Sequence, residues 1–379
     1  MKFDTLIVGA GFTGATLAER LASQAGERVL VIDRRAHIGG NAFDQHNAHD
    51  LLIHLYGPHI FHTNSVRVWD YLSQFTTWRP YHHRVLGSID GQQVPIPFNL
   101  NSLYALFGPQ QAARLETLLV EHFGFGVKVP ILKLRESVSG ELQALAEYIY
   151  QKVFLHYTVK QWGLRPEELD ASVTGRVPVY VSRDDRYFQD TYQAMPSLGY
   201  TRMFQNMLAH PNIKVMLNTD HQEIEGGVQY GRLIYTGPID AYFGYKHGPL
   251  PYRSLRFEFE TREVAQHQAV GTVNYPNDYA FTRVTEQKYL SGQHSPVTTL
   301  VTEYPQAHVV GENEPYYPVL QEENRSLYER YAAEARALQG RVMFAGRLAD
   351  YKYYNMDQAC ARALSLFDQL AQQAPTALP

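Results

Sequence analysis

A glycine-rich turn near the amino terminus constrains the fold of this chain more than any other feature. The turn, Gly9 to Gly14, directly follows an apolar run at residues 6–8, and a second apolar run at residues 29–32 ends at Asp33. A strand, a glycine turn, a helix, a second strand and a terminal acidic residue form, in that order, the dinucleotide site of a Rossmann-like fold. We therefore predict an α/β chain that begins with such a site, whereas the glycine spacing alone would also fit an ordinary structural turn.

Each residue of this motif has a separate expected role. Gly9 permits the tight turn from strand to helix, Gly11 lets backbone N–H groups approach a pyrophosphate, and Gly14 lets the helix lie close to the strand. The pyrophosphate is then expected at the amino terminus of the helix, beside Phe12. Asp33 lies 19 residues beyond Gly14, where a carboxylate accepts hydrogen bonds from a ribose hydroxyl and disfavours a 2′-phosphate, so NADP is not expected here.

The choice between FAD and NAD depends on two further glycine signals. Gly39 and Gly40 follow soon after Arg34 and precede Asn41, which favours backbone that meets a bulky FAD, although a simple Gly-Gly loop has the same sequence. Near the carboxyl terminus, residues 341–345 indicate a buried strand, Gly346 breaks it, and a helix is expected from Asp357. Both ends of the chain would then form one FAD-binding domain.

Composition bounds the class of protein and its partners. A chain of 379 residues exceeds the length at which single cores stop growing, so two or three domains are expected. The net charge of −4 and the absence of long basic runs argue against nucleic acid as a partner. Without a signal peptide or an apolar stretch of 18 residues, we expect a cytoplasmic protein with no membrane span. The single cysteine, Cys360, is expected to pack in a helix.

Hydrophobic periodicity divides the chain further into an inserted helical domain and an antiparallel sheet domain. Helical spacing fills much of the segment after Asn99, whereas later segments alternate or are rich in β-branched and aromatic residues. Strands are predicted at 177–181, 255–259, 271–274, 279–284 and 298–304. The predicted domains are a discontinuous Rossmann-like FAD-binding domain (1–80, 196–245 and 319–379), a helical domain (98–170), and an antiparallel sheet domain (81–97, 171–195 and 246–318).

The sequence lacks several common catalytic signatures. It has no Gly-x-Ser-x-Gly elbow, no His-Glu-x-x-His and no cysteine pair, which disfavours hydrolysis by those routes. His59 and His62 have a spacing that a metal site tolerates, but they lie on a Gly-Pro loop without a third ligand nearby. We therefore expect no metal and predict that these histidines contact a flavin edge.

The chain contains 27 tyrosines, several of them close to arginines and glycines in loop-like segments. Flat aromatic rings stack on nucleobases and sugars, and arginine forks bind diphosphates. Each such residue alone fits packing or a solvated charge better than it fits a binding role. Together with a flavin motif they indicate an anionic substrate that contains a base.

Six ordered segments closely resemble the UDP-galactopyranose mutase family of the short bacterial type, and the resemblance spans nearly the whole chain. They are Tyr-Gly-Pro-His-Ile-Phe-His-Thr (56–63), Tyr-Thr-Val-Lys-Gln-Trp-Gly (157–163), Thr-Gly-Arg-Val-Pro-Val (174–179), Tyr-Thr-Gly-Pro-Ile-Asp (235–240), Leu-Pro-Tyr-Arg-Ser-Leu (250–255) and Gly-Arg-Leu-Ala-Asp-Tyr-Lys-Tyr (346–353). The resemblance implies an isomerase that interconverts UDP-galactopyranose and UDP-galactofuranose. It also implies that the enzyme uses FAD, which must be reduced for activity, although the reaction involves no net redox change.

The resemblance assigns site residues by matching positions. Arg176 and Arg283 would hold the UDP diphosphate and, with His62, are the candidate catalytic residues. Phe154 and Tyr157 would sandwich uracil, Asn274 would bind the edge of the base, and Trp162 would lie in the mobile loop. The substrate-binding set is Phe154, Tyr157, Thr158, Trp162, Tyr187, Asn274, Tyr317 and Tyr353, and the cofactor-binding set is Gly9, Gly11, Phe12, Gly14, Asp33, Arg34, Gly40, Asn41, His59, Ile60, Arg347, Asn355 and Met356.

The same resemblance implies a mechanism and partners. N5 of the reduced flavin would attack the anomeric carbon as UDP leaves, and the covalent sugar adduct would open, reclose as the furanose and recover UDP. NAD(P)H or another reductant would keep the flavin reduced, the protein would be a homodimer, and the product would supply galactofuranose to cell-surface glycans. One departure is Asn355, where many family members carry aspartate, so the affinity for the diphosphate is expected to differ.

Two other functions remain open from the sequence. An amine-oxidase-like FAD-dependent oxidoreductase, acting on an amine or a nucleotide-linked substrate, would share the glycine turn and the late strand. A non-catalytic flavin or nucleotide-sugar sensor would keep the glycine turn but would not need Arg176 and Arg283. An oxidase consumes an acceptor stoichiometrically with its substrate, which separates it from a mutase.

Overall fold

A computed structural model of the chain describes residues 2–170, 175, 177–224, 226–338 and 340–373. Its strands are β1 (Lys2–Val8), β2 (Val29–Ile32), β3 (Asp44–His46), β4 (Leu52–His54), β5 (Phe61–Thr63), β6 (Trp78–Pro80), β7 (Val85–Ile89), β8 (Gln92–Ile96), β9 (Lys128–Val129), β10 (Val179–Tyr180), β11 (Tyr192–Pro196), β12 (Ile213–Met216), β13 (Gln229–Tyr235), β14 (Tyr252–Arg262), β15 (Thr272–Asn274), β16 (Arg283–Glu286), β17 (Thr298–Ala307), β18 (Tyr317–Pro318) and β19 (Val342–Phe344). Its α-helices are α1 (Phe12–Gln24), α2 (Val66–Leu72), α3 (Leu100–Leu106), α4 (Pro109–Phe123), α5 (Ile131–Arg135), α6 (Gly140–Ile149), α7 (His156–Trp162), α8 (Tyr200–Met207), α9 (Ile239–Tyr242), α10 (Gln287–Ser291), α11 (Glu322–Ala337) and α12 (Met356–Gln373).

A five-stranded parallel sheet contains both ends of the chain. Its strand order is β12-β2-β1-β13-β19, and every pairing in it is parallel. β2 is buried along its whole length, as its continuous apolar run requires in a parallel sheet. Helices α1 and α12 pack against each other in the largest apolar core, where Cys360 is fully buried. The predicted Rossmann-like α/β fold is therefore confirmed.

A seven-stranded sheet has the order β18-β14-β17-β16-β15-β7-β8 and is antiparallel except where β15 pairs with β7. The strand predicted at 279–284 exists but begins later, since β16 starts only at Arg283 and the preceding residues form a loop. The strand predicted at 177–181 is shorter and does not join this sheet, because β10 pairs with β9 instead. β11, which also lies in the segment assigned to the sheet domain, pairs with β5 and β6.

The helices α3 to α6 surround a second apolar core. This core also contains buried side chains from β7 and β8, among them Val85 and Ile96. The helical segment and one edge of the antiparallel sheet are therefore packed together, and the proposed domain boundaries remain a prediction. No helix among the described residues is long and apolar enough to cross a membrane.

Candidate active site

Two large cavities lie next to each other and share part of their lining. The glycine-loop cavity, about 960 Å³, is lined by the glycine turn, Asp33 and most of the loop at 308–316. The aromatic cavity, about 1030 Å³, is lined by α7, β15, β16 and many tyrosines. The residues that line both cavities, here called the shared wall, are Asn41, His59, Tyr316, Arg347, Asn355 and Met356.

The glycine turn has the geometry that its sequence predicts. Gly9 adopts φ of +104°, and a Cβ added to it would lie 2.1 Å from Thr236 Oγ1. A Cβ on Gly14 would lie 1.9 Å from the carbonyl oxygen of Gly9, so only glycine allows α1 to pack this closely on the turn. Gly11 is the N-cap of α1, and no side chain caps this helix. The backbone N–H groups at its positive end are therefore not covered by a capping side chain.

The paired glycines lie directly against this turn. Gly40 has φ of +57°, and its missing Cβ would lie 3.1 Å from Cα of Gly11. The Gly39 N–H donates to the Ala10 carbonyl at 2.8 Å, which fixes the two loops together. Close approach of two backbones, and not only of backbone to a cofactor, therefore explains this pair of glycines.

Asp33 directly follows β2 and lines the glycine-loop cavity. Its two carboxylate oxygens accept the N–H groups of Ala10 (2.8 Å) and Arg35 (2.9 Å). These bonds orient the carboxylate, and each oxygen keeps a lone pair for a ribose hydroxyl. Arg34, also predicted to bind cofactor, lines this cavity and forms an ion pair with Glu314 at 2.5 Å.

Arg283 supplies a positive charge to the aromatic cavity. Its Nε and Nη2 donate to Glu303 Oε2 at 3.0 and 2.9 Å, and Glu303 is almost fully buried. Burial by itself disfavours the charged guanidinium, but the Glu303 carboxylate outweighs it, so the pKa of Arg283 lies well above its usual value. Among the described residues no other hydrogen bond to the guanidinium of Arg283 is found, so its remaining N–H groups can serve an anion.

His59 presents a neutral imidazole on the shared wall. Its Nδ1 lies 2.9 Å from the Gly57 carbonyl, and its backbone N–H donates to His54 Nδ1 at 3.1 Å. Burial lowers the pKa of His59 to about 3 and that of His54 to about 4. Because a carbonyl only accepts, Nδ1 of His59 carries the hydrogen, which leaves Nε2 as an acceptor.

His62 lines the aromatic cavity and is paired with an acid. Its Nδ1 lies 3.0 Å from Asp190 Oδ2, and its ring stacks on Phe188 at 3.7 Å between centroids. The hydrogen bond from His62 lowers the pKa of Asp190, whose other oxygen accepts from Asn64. In the part of the chain that the structure describes, no three His, Cys, Asp or Glu side chains cluster as metal ligands would.

Comparison with known proteins identifies the family. A sequence profile of UDP-galactopyranose mutase matches residues 152–353, more than half of the chain, and a profile of NAD(P)-binding Rossmann-like domains matches residues 7–75. The chain belongs to the UDP-galactopyranose mutase family. It is 38% identical to a probable UDP-galactopyranose mutase of Klebsiella pneumoniae, over 97% of this chain and 94% of that one. It is also 34% identical to a dTDP-fucopyranose mutase of Escherichia coli, over 95% of this chain and 96% of that one.

Solved structures agree on the fold. A crystal structure of reduced UDP-galactopyranose mutase has a TM-score of 0.75 at 16% identity and covers 98% of this chain and 96% of that one. Wild-type putrescine oxidase bound to putrescine has a TM-score of 0.58 at 13% identity, over 98% of this chain and 100% of that one. The oxidase likeness concerns the fold alone, and membership of the mutase family, an isomerase family, decides against the amine-oxidase alternative.

Most site residues that the family resemblance assigned line one of the two cavities. Those in the aromatic cavity are Asn41, His59, Ile60, His62, Phe154, Tyr157, Thr158, Trp162, Tyr187, Asn274, Arg283, Tyr317, Arg347, Tyr353, Asn355 and Met356. Those in the glycine-loop cavity are Gly9, Gly11, Phe12, Asp33, Arg34, Gly40, Asn41, His59, Arg347, Asn355 and Met356. Gly14 lines neither cavity, because it packs under the turn, and Arg176 lies outside the described residues.

Trp162 differs from its expected placement in a mobile loop. It is the last residue of α7, since the left-handed Gly163 (φ +72°) ends that helix only after it. Its ring is almost buried and lies 6.0 Å from Tyr317 and 5.7 Å from Tyr353, which stack on each other at 5.0 Å. In this mutase-family chain, Trp162 is therefore part of a packed aromatic wall.

Three acidic residues of the site escaped the sequence analysis. Glu303 faces Arg283 across the β16–β17 ladder, Asp190 pairs with His62, and Glu314 pairs with Arg34 and Arg35. The sequence pattern predicts the strand β17 that contains Glu303. Only the register between β16 and β17 places Glu303 opposite Arg283. The other two are loop residues with no sequence signal for their partners.

Proposed function

We propose that this protein interconverts UDP-galactopyranose and UDP-galactofuranose with reduced FAD. One observation carries the proposal: Arg283, held by the buried acid Glu303, lies in an aromatic cavity that shares a wall with a glycine-loop cavity. A nucleotide sugar needs a cation for its diphosphate and flat rings for its base. The shared wall puts the two binding cavities next to each other.

The residues of the glycine-loop cavity fit FAD. Backbone at Gly9, Gly11 and Gly40 occupies space that any Cβ would fill, and α1 presents an amino terminus without a side-chain cap. A pyrophosphate would bind at that terminus and a ribose hydroxyl at Asp33. When bound and reduced, the flavin supplies the nucleophile for the anomeric carbon, and NAD(P)H or another reductant keeps it reduced.

The protein side chains bind, orient and stabilise charge. Arg283 would neutralise charge on the departing UDP, and Phe154 and Tyr157 would hold the base. Burial raises the pKa of Tyr157 and Tyr317 above the usual value for tyrosine, so both hydroxyls keep their protons and can donate hydrogen bonds. Nε2 of His59 would accept a hydrogen bond at the shared wall, where the sugar would meet the cofactor.

An anaerobic assay tests this function. Purified protein, oxidised or reduced with dithionite, is incubated with UDP-galactofuranose, and the nucleotide sugars are separated by anion-exchange chromatography. We expect UDP-galactopyranose only in the reduced sample, with no net oxidation of the flavin. No conversion in either sample, or an oxidised product formed in proportion to substrate, would contradict the proposal.

The Escherichia coli relative motivates a second candidate substrate. Its identity of 34% to this chain is close to the 38% of the Klebsiella pneumoniae protein, and its name specifies dTDP-fucopyranose. The same reduced assay should therefore include dTDP-fucopyranose. Faster turnover of that substrate would assign the chain to a thymidine-linked 6-deoxysugar.

A further inference from the structure

Lys160 lies in α7 and contacts three backbone carbonyls of one loop. Its Nζ donates to the carbonyl oxygens of Tyr275 (2.5 Å), Tyr279 (2.9 Å) and Phe281 (3.1 Å). An ammonium group has three N–H donors, so each donor has one acceptor here. The half-buried ammonium thereby closes the loop at 275–282, here called the hairpin loop, onto the helix.

The two segments joined by Lys160 form different walls of the aromatic cavity. α7 contributes Tyr157, Thr158 and Trp162 to the cavity, whereas the strands on either side of the hairpin loop contribute Asn274 and Arg283. The hairpin loop connects β15, which ends at Asn274, directly to β16, which begins at Arg283. A displacement of this loop relative to α7 would therefore change the width of the cavity.

Asn277 supports the same connection with fewer hydrogen bonds, and Arg253 joins α7 to β14. Asn277 of the hairpin loop lies 2.9 Å from His156 Nδ1 and donates to the Lys152 carbonyl at 3.0 Å. On the other side of α7, Arg253 of β14 donates to the carbonyls of Gln161 and Lys160 at 2.8 and 3.1 Å. Lys160 is the only described side chain that bonds three carbonyls of the hairpin loop at once.

We propose that Lys160 is a positioning residue that sets the distance between the two walls of the aromatic cavity, and thus the affinity for a nucleotide diphosphate. This inference rests on the proposed function, because it takes the ligand of the cavity to be UDP. Lys160 itself touches neither cavity in the structure. Its effect on binding would pass through Asn274 and Arg283 on one side and α7 on the other.

The test compares Lys160→Met with a matched control, Lys152→Met. Methionine keeps the length of the side chain but cannot donate, while Lys152 is a nearby lysine whose ammonium pairs with Asp90 on the surface. Hydrogen exchange, followed by mass spectrometry, measures how fast the backbone amides of the hairpin loop exchange with solvent. Calorimetry measures the affinity of the flavin-loaded protein for UDP. We expect faster exchange in residues 275–282 and at least tenfold weaker UDP binding for Lys160→Met only, with flavin content unchanged.

The outcomes separate this inference from the proposed function. Unchanged exchange in Lys160→Met, or faster exchange with UDP affinity within twofold of wild type, overturns the positioning role. Absence of UDP binding by the wild-type protein would instead overturn the proposed function, and the exchange measurement would still decide whether Lys160 holds the loop. If Lys160→Met does not fold, Asn277→Ala removes two weaker contacts between the same segments and should shift both measurements in the same direction.

Discussion

At the scale of single residues, the aromatic cavity depends on one buried carboxylate. Glu303 holds Arg283 through both Nε and Nη2, so Glu303→Gln removes the only described negative partner of a partly buried guanidinium. Breaking a buried ion pair leaves an uncompensated charge and costs about 3 kcal/mol. We expect urea unfolding of the flavin-free variant to show this loss.

An exposed ion pair provides the control for that variant. Glu258 pairs with Arg256 on the surface of the same sheet, with about half of each side chain exposed. Solvent screens such pairs, so Glu258→Gln should unfold like the wild type. Equal destabilisation by both substitutions would show that the pair of Arg283 and Glu303 has no special role in stability.

Buried histidines predict how stability depends on pH. Burial lowers the pKa of His83 to about 3, and its Nδ1 lies 3.0 Å from the Tyr81 hydroxyl. Below the usual histidine pKa of about 6.5, the unfolded chain binds a proton that the folded chain does not bind, so stability falls as pH decreases. Each such histidine lowers the free energy of unfolding by up to about 1.4 kcal/mol for each pH unit of acidification.

Urea unfolding of flavin-free protein between pH 6.5 and 5 measures the slope of the unfolding free energy against pH. All other titrating groups are common to the wild type and the variant, so the difference between their slopes reports on His83. His83→Gln should reduce the slope by up to the amount that corresponds to one proton taken up on unfolding, whatever its effect on stability at pH 7. An identical slope in wild type and variant would mean that His83 titrates normally in the folded protein.

At the scale of elements, the loop at 308–316 joins the antiparallel sheet to the glycine-loop cavity. Glu314 on this loop accepts from Arg34 at 2.5 Å and Arg35 at 2.9 Å, and the guanidinium of Arg35 lies over the Tyr56 ring. The acid and its two arginine partners all line the cavity. Its contacts therefore hold the loop in place beside the proposed FAD site.

Removal of this acid should accelerate cofactor release. We expect Glu314→Gln to raise the rate of FAD dissociation roughly tenfold, since a charge-assisted interaction with two arginines is worth about 1.4 kcal/mol. Flavin fluorescence after dilution measures the release. The exposed Glu263 gives a control, Glu263→Gln, and equal release rates in both variants would contradict the role of Glu314.

At the scale of the whole molecule, the shared wall predicts coupling between cofactor and substrate. Six residues line both cavities, including His59 and Arg347, so a cofactor that orders them also orders the substrate side. Typical coupling of this kind changes affinity about 5- to 150-fold. We expect flavin-free protein to bind UDP at least fivefold more weakly than flavin-loaded protein in calorimetry, and equal affinities would exclude such coupling.

The sequence by itself determined the features that depend on neighbouring residues along the chain. The glycine turn, Asp33 directly after β2 and the late strand before Gly346 all lie where the sequence pattern predicts them, although that strand is half-buried instead of buried. The ordered motifs also identified the family. These signals are local because a turn, a helix cap or a buried strand is encoded within a few residues.

Only the tertiary structure decided which side chains face one another. The partners Glu303 with Arg283, Asp190 with His62 and Glu314 with Arg34 depend on strand register or on loops that cross between sheets. The same reason explains why the strand predicted at 279–284 begins only at Arg283: the carbonyls of Tyr279 and Phe281 bond Lys160, 119 or more positions away, instead of a neighbouring strand. Long-range pairing of this kind leaves no periodic trace in the sequence, because neither partner's local conformation requires the other.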